Sequence, residues 1–221
     1  MSPPAVPDLA HAEAWLFDLD NTLYPLESGL APQVSDLITD FTQSLTGLDR
    51  DAARALQKDY LARYGLTLGG LMAHHGVDPD DFHAAINTVD LTCLTPDPDL
   101  NAALAALPGR KLIFTNADEI HAVRVLERLG MNTLFEDVFH IARAGFAPKP
   151  SPLAYERMIT ALALDPRRTV FFEDAVRNLA PAAALGMVTV LVGEQAAASN
   201  ADFVSHRAAS LADFLVRGET L

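Results

Sequence analysis

The chain has 221 residues, half of them hydrophobic, and carries a formal net charge of −13. Such a length suits one domain, or a core with one insertion. The acidity argues against a nucleic-acid polymer as partner, because phosphate backbones favour basic surfaces, but it leaves open a small phosphate ester, which needs only local positive charge or a cation.

Trp15, Leu16 and Phe17 form an apolar run that reads as a buried strand, followed by Asp18, Asp20 and the small turn-formers Asn21 and Thr22. Side chains alternate faces along a strand, so the two aspartates share a face while the chain stays extended. Two close carboxylates repel each other, so one holds its proton more tightly or a cation joins them. Tyr24-Pro25 then breaks the regular structure. From about residue 26 to 90 the pattern is helical. Val34, Leu37, Ile38, Phe41 and Leu45 recur at three- and four-residue spacings, as do Ala53, Leu56, Tyr60, Leu61 and Tyr64. A shorter piece covers 67–75, and another starts at Asp78-Pro79, an N-cap and N1 pair. Four helices and no strand are expected in this block.

Pro96 and Pro98 close it. A helix with Leu100, Leu104 and Leu107 follows, then a strand within 111–116 that ends in Thr115 and Asn116. A helix over 119–129, a weak strand over 137–141, a helix over 151–163 and a strand over 169–172 come next, the last ending at Glu173-Asp174. A helix over 178–185 and a strand over 188–192 follow. The Ala-rich stretch 196–201 reads as a loop, 201–204 as an edge strand and 211–216 as a last helix. Strands and helices that alternate, with the strands near-continuous apolar runs, predict an α/β fold with a parallel sheet covered on both faces. The expected division is a core of 1–25 with 96–221 and a helical cap of 26–95.

Four places put unusual polar residues at or just beyond the C-terminal side of a sheet element: Asp18/Asp20, Thr115/Asn116, Lys149-Pro150 and Glu173/Asp174. Each has a plain structural use, since Thr, Asn and Asp also cap helices and turns and a lysine usually faces solvent. Their joint occurrence is what points to a site, because open parallel sheets bind ligands at the C-terminal ends of their strands. Together they suit phosphoryl transfer. A carboxylate can act as nucleophile. Asp18, Asp174, a backbone carbonyl and waters suit octahedral Mg²⁺. The Thr115 hydroxyl, the Asn116 amide and the Lys149 ammonium can hold the phosphate oxygens. Asp20 can protonate the leaving oxygen and then take a proton from water.

The order DLDNT, FTN, KP and FFED resembles the four motifs of the haloacid dehalogenase (HAD) superfamily. The resemblance covers nearly the whole chain and implies a Rossmann-like core with strands in the chain order 3-2-1-4-5 and an inserted helical cap like the superfamily's C1 type. The stretches 18–25, 64–71, 114–117 and 172–174, with Asn178, are similar to those of the pyrimidine 5′-nucleotidase group. By this resemblance Asp18 is the nucleophile and Asp20 the general acid/base. Thr115 and Lys149 hold the phosphate, and Asp18, the backbone oxygen of Asp20, and Asp174 bind Mg²⁺, with Glu173, which stands where many relatives have Asp, a further candidate ligand. Asn178 orients the loop. The superfamily's dehalogenases lack an acid at the position of Asp20 and need no metal, so Asp20 argues for phosphate chemistry.

The implied function is a Mg²⁺-dependent phosphomonoesterase acting through an aspartyl-phosphate on a small phosphorylated metabolite, a nucleoside 5′-monophosphate by the subgroup resemblance. A sugar-phosphate phosphatase or phosphomutase is the alternative, and a catalytically silent binding module a third reading. Tyr24, Tyr64, His74 and His75 are candidates to face the leaving group, although adjacent helical histidines diverge too far to share one ion. The single cysteine, Cys93, excludes an intrachain disulfide. The first seven residues lack the basic and apolar regions of a signal peptide, and no apolar run nears the roughly 18 residues that span a bilayer. The expectation is a cytoplasmic protein, monomeric or a small homo-oligomer, without membrane partners.

Overall fold

The computed structural model describes residues 9–218 and 220. The first seven residues, on which the signal-peptide expectation rests, lie outside them. The chain divides into two compact units, one built from residues up to Ser28 and from Leu94 onward, the other from Gly29–Cys93.

The first unit holds a six-stranded sheet. Its strands are β1 (Ala14–Phe17), β2 (Arg110–Phe114), β3 (Asp137–Phe139), β4 (Thr169–Glu173), β5 (Val188–Val192) and β6 (His206–Ala208). The order is β3-β2-β1-β4-β5-β6 and every pairing is parallel. This is the expected 3-2-1-4-5 arrangement with one more strand at the β5 edge. Phe17 lies opposite Ile113 on one side and Phe172 on the other, so three strands end level with one another. Leu16, Phe114 and Phe171 pack on one face with Tyr155 and Met158. On the other, Phe17 stacks on Phe172 at 4.8 Å, with Phe214 edge-on to Phe172. With both faces covered, the strands are apolar runs rather than alternating ones.

The C-terminal end departs from expectation. Residues 201–204 are not a strand; the edge strand is His206–Ala208, whose pairing with Val190–Val192 uses the backbone and needs no apolar run. The Ala-rich stretch is not all loop, for Glu194–Ala198 is a short helix that begins after Gly193 at φ 84°, and alanine is the best helix former. The last helical segment, Asp213–Arg217, is a π-helix.

The second unit contains α1 (Leu30–Thr46), α2 (Arg50–Tyr64), α3 (Thr67–His75) and α4 (Pro79–Ile86). Asp49 and Asp78 cap α2 and α4 by accepting from Ala52 N and Asp80 N. The burial of α1 differs from its apolar stripe. Val34, Leu37, Ile38 and Phe41 are half-buried, while Thr39 and Thr42 are buried. Thr39 is tolerated inside because its hydroxyl reaches both Ser35 O (2.9 Å) and Gln57 Oε1 (2.6 Å). No helix among the described residues is long and apolar enough to cross a membrane.

Candidate active site

The site is built where β1, β2 and β4 end. Asp18 N donates to Phe172 O at 2.9 Å, which continues the ladder one residue past β1 and pins the first aspartate at the sheet edge. Leu19 is buried, and the chain then turns, with Leu23 N donating to Leu19 O and Asn21 in the left-handed region at φ 62°. Asparagine takes that conformation more readily than most residues. Thr115 follows β2 directly and is held by Thr115 N to Phe139 O, 3.0 Å. Its Oγ1 accepts from Ala117 N at 3.0 Å, and among the described residues its O–H donates to no protein group.

Lys149 is the hub, only 1% exposed. Its ammonium donates to Asp18 Oδ1 (2.6 Å), Phe114 O (2.8 Å) and Glu173 Oε2 (2.8 Å), which uses all three of its N–H groups. The rings of Phe114 and Phe171 lie 5.1 and 5.6 Å from Nζ. Asn116 sits on the backbone of Lys149: its Oδ1 accepts from Lys149 N at 2.8 Å, and its Nδ2 donates to Lys149 O at 3.4 Å. The structure therefore places this amide against the lysine's main chain.

Three carboxylates crowd the lysine. Oxygens of Asp18, Glu173 and Asp174 lie within 4.8 Å of one another. Burial, reinforced by Glu173 and Asp20 and opposed by Lys149, pushes the Asp18 carboxyl up from 3.8 to about 8. Burial also raises Glu173, and burial together with Asp18 raises Asp174. Lys149 moves up as well, since Asp18 and Glu173 outweigh its burial. One ammonium thus faces more negative charge than it balances. An all-oxygen donor set with surplus negative charge fits a hard divalent cation. Glu173 has the least to offer such an ion: Oε2 accepts from Lys149 and Oε1 accepts from Ala175 N at 3.1 Å.

Asp20 is in a different environment. Its Oδ1 accepts from Tyr24 OH at 2.6 Å and lies 2.9 Å from His121 Nε2. Burial works to raise its pKa, but the His121 ring and the Tyr24 hydroxyl prevail and hold it below the ordinary carboxylate value. The His121 ring moves upward in turn, Asp20 overcoming the effect of burial. Sequence reasoning missed His121. A signal existed: Asp118 caps α5 (Glu119–Leu129) by accepting from Ile120 N and His121 N, so His121 lies in the first turn of the helix that leaves the Thr115-Asn116 strand end.

The remaining candidates separate. Tyr24 is beside Asp20. In the helical unit, Tyr64 OH pairs with His74 Nε2 (2.5 Å) and Tyr60 OH with His75 Nε2 (3.0 Å), so each histidine has its own tyrosine. Asn178 meets its loop through the backbone, Asn178 N donating to Ala175 O at 2.9 Å, while its Oδ1 is buried without a partner among the described residues.

Residues 12–186 match the haloacid dehalogenase-like hydrolase family. Phosphate metabolism protein 8 of Saccharomyces cerevisiae is 27% identical over 208 residues, which is 86% of this chain and 65% of the relative. The chain thus spans just under two thirds of that relative's length. Among solved structures, a HAD phosphatase from Thermococcus onnurineus aligns with a TM-score of 0.62 at 20% identity, covering 91% of this chain and 95% of the other. The L-2-haloacid dehalogenase of Xanthobacter autotrophicus aligns with a TM-score of 0.56 at 19% identity, covering 94% and 99%. A phosphatase and a dehalogenase share this fold, so the fold alone does not choose between their chemistries.

Proposed function

This chain belongs to the haloacid dehalogenase-like hydrolase family, and from that premise we propose that it is a Mg²⁺-dependent phosphomonoesterase. The observation that carries the reading is Asp20: a second carboxyl two residues past Asp18, half-exposed and held by donors from Tyr24 and His121. A dehalogenase of this family has no need of an acid there, whereas a phosphate ester needs a proton delivered to its leaving oxygen.

In the proposed reaction a carboxylate oxygen of Asp18 attacks phosphorus, the bond from phosphorus to the ester oxygen breaks, and Asp20 gives its proton to that oxygen. Water then attacks the aspartyl-phosphate, Asp20 takes a proton from it, and the Asp18–phosphorus bond breaks to release inorganic phosphate. The free O–H of Thr115 suits a phosphate oxygen, and Lys149 offsets charge on Asp18. Asn116 contributes by fixing the main chain of Lys149. The carboxylates of Asp18 and Asp174 and the backbone oxygen of Asp20 would hold Mg²⁺, which when bound supplies positive charge against the phosphate and the crowded carboxylates.

The helical unit is proposed as a C1-type cap that selects the leaving group, and a nucleoside 5′-monophosphate as the substrate, on the likeness to the pyrimidine 5′-nucleotidase group. A cytoplasmic setting accords with the one free cysteine. Phosphate release from a panel of nucleotides and sugar phosphates, with Mg²⁺ and with EDTA, tests the reading, with Asp18→Asn as control. Release only with Mg²⁺ and only by the wild type is expected. Equal release by Asp18→Asn, or indifference to EDTA, overturns the mechanism. An isomerised ester in place of free phosphate would make the protein a mutase.

A further inference from the structure

His121 is 5% exposed. Burying an imidazole is costly unless its nitrogens are bonded. Here Nδ1 has no partner among the described residues, and the ring's one side-chain hydrogen bond goes from Nε2 to Asp20 Oδ1, across 101 positions of sequence. A ring placed only for packing would be served as well by leucine. The polar contact it does make therefore bears on Asp20.

The same oxygen also accepts from Tyr24 OH at 2.6 Å. A carboxylate oxygen has two lone pairs in its plane, and two donors occupy both on Oδ1. Among the described residues no hydrogen bond reaches Oδ2, and the Asp20 side chain keeps 37% of its surface exposed. We infer that His121, assisted by Tyr24, is a positioning residue for the general acid/base: the two donors saturate Oδ1, fix the rotation of the Asp20 carboxyl and leave Oδ2 as the oxygen that carries the proton to and from substrate. The inference rests on the phosphomonoesterase reading above, in which Asp20 has this role. Within it, the proton moves from Asp20 Oδ2 to the leaving oxygen as the ester bond breaks, and from water to Oδ2 as the aspartyl-phosphate is hydrolysed. His121 and Tyr24 keep their own protons throughout.

A positioned acid matters in proportion to how badly the leaving group needs a proton. An alkyl ester such as a nucleoside 5′-monophosphate needs it, and p-nitrophenyl phosphate, whose leaving group departs as a stable anion, needs it far less. The readout is the ratio of kcat/KM for the alkyl ester to kcat/KM for p-nitrophenyl phosphate, because kcat/KM reports events up to the first phosphoryl transfer. His121→Leu is expected to lower this ratio by at least about tenfold, the low end of what general acid catalysis contributes. His121→Gln, which keeps an N–H donor near the place of Nε2, recovers most of it, and Tyr24→Phe lowers it in the same sense. A structural role predicts equal loss on both esters and no rescue by glutamine, so parallel loss, absence of rescue, or an unchanged ratio in His121→Leu overturns the inference. If His121→Leu does not fold, the comparison of Tyr24→Phe and His121→Gln with wild type decides it by the same ratio. Failure of the parent reading looks different: wild type and Asp18→Asn would then release phosphate equally from both esters.

Discussion

Lys149 and Asp18 form a buried ion pair, Nζ to Oδ1 at 2.6 Å, and the same ammonium bonds Glu173 at 2.8 Å. Removing one partner from a buried pair leaves charge without compensation and costs about 3–5 kcal/mol. Lys149→Met is therefore expected to lower unfolding free energy by about that much, measured by denaturant titration. It should also lower kcat by at least about a hundredfold, as loss of a positioned electrostatic donor does. Lys149→Arg should not restore activity, because a planar guanidinium cannot direct three donors to Asp18, Phe114 O and Glu173 from one point.

Asp174 lies in the acidic group with Asp18, and its carboxyl is raised by burial and by the Asp18 charge. If it ligates the cation, Asp174→Asn raises the Mg²⁺ concentration for half-maximal activity by at least about tenfold, the lower range found even for indirect contacts. Titration of activity with Mg²⁺ after EDTA treatment checks this, and a half-saturation equal to that of the wild type would remove Asp174 from the ligand set.

The Asp18 carboxyl rises from 3.8 to about 8 in the absence of a cation. Between those values the folded chain holds a proton that the unfolded chain has released. Stability therefore falls as pH rises through this window. Unfolding temperatures in EDTA, measured from pH 4 to 8, should fall more steeply for the wild type than for Asp18→Asn. Added Mg²⁺ should reduce the difference, because a cation favours the ionised carboxylate. A difference between the two proteins that does not change with pH would contradict the assignment.

Gly70 lies on α3 against Tyr60 of α2, and a Cβ there would collide with the Cβ, Cγ and Cδ2 atoms of that tyrosine. Tyr60 is buried and also bonded to His75, so it has little room to yield. Gly70→Ala should destabilise the helical unit by about 1–3 kcal/mol, the usual cost of overpacking, seen as faster amide exchange in residues 29–93. The same contact gives the Gly69-Gly70 pair a packing explanation: the two helices approach closely, with a Cβ at Gly69 falling 3.1 Å from Tyr64 Cβ.

Much of this molecule is legible along the chain because its causes are local. Short apolar runs, Ala14–Phe17, Leu112–Phe114 and Val170–Phe172, mark β1, β2 and β4, and the residues just beyond them are polar because the C-terminal strand ends of an open parallel sheet form its ligand side. Asp18, Thr115 and Glu173 stand at level strand ends for that reason, and the order of the motifs carries the family. Three and four-residue spacing likewise announces the helices of 29–93.

What the tertiary structure alone decided are pairings between distant residues. Periodicity says which face of a helix is turned inward, but not which side chain arrives opposite it. His121 meets Asp20 because α5 starts beside the end of β2 while the chain turns after β1. Asn116 closes on the main chain of Lys149, and Thr39 goes inside because Gln57 and Ser35 are there to satisfy it. The edge strand His206–Ala208 escaped for a related reason: its bonds are made by the backbone, which every sequence shares.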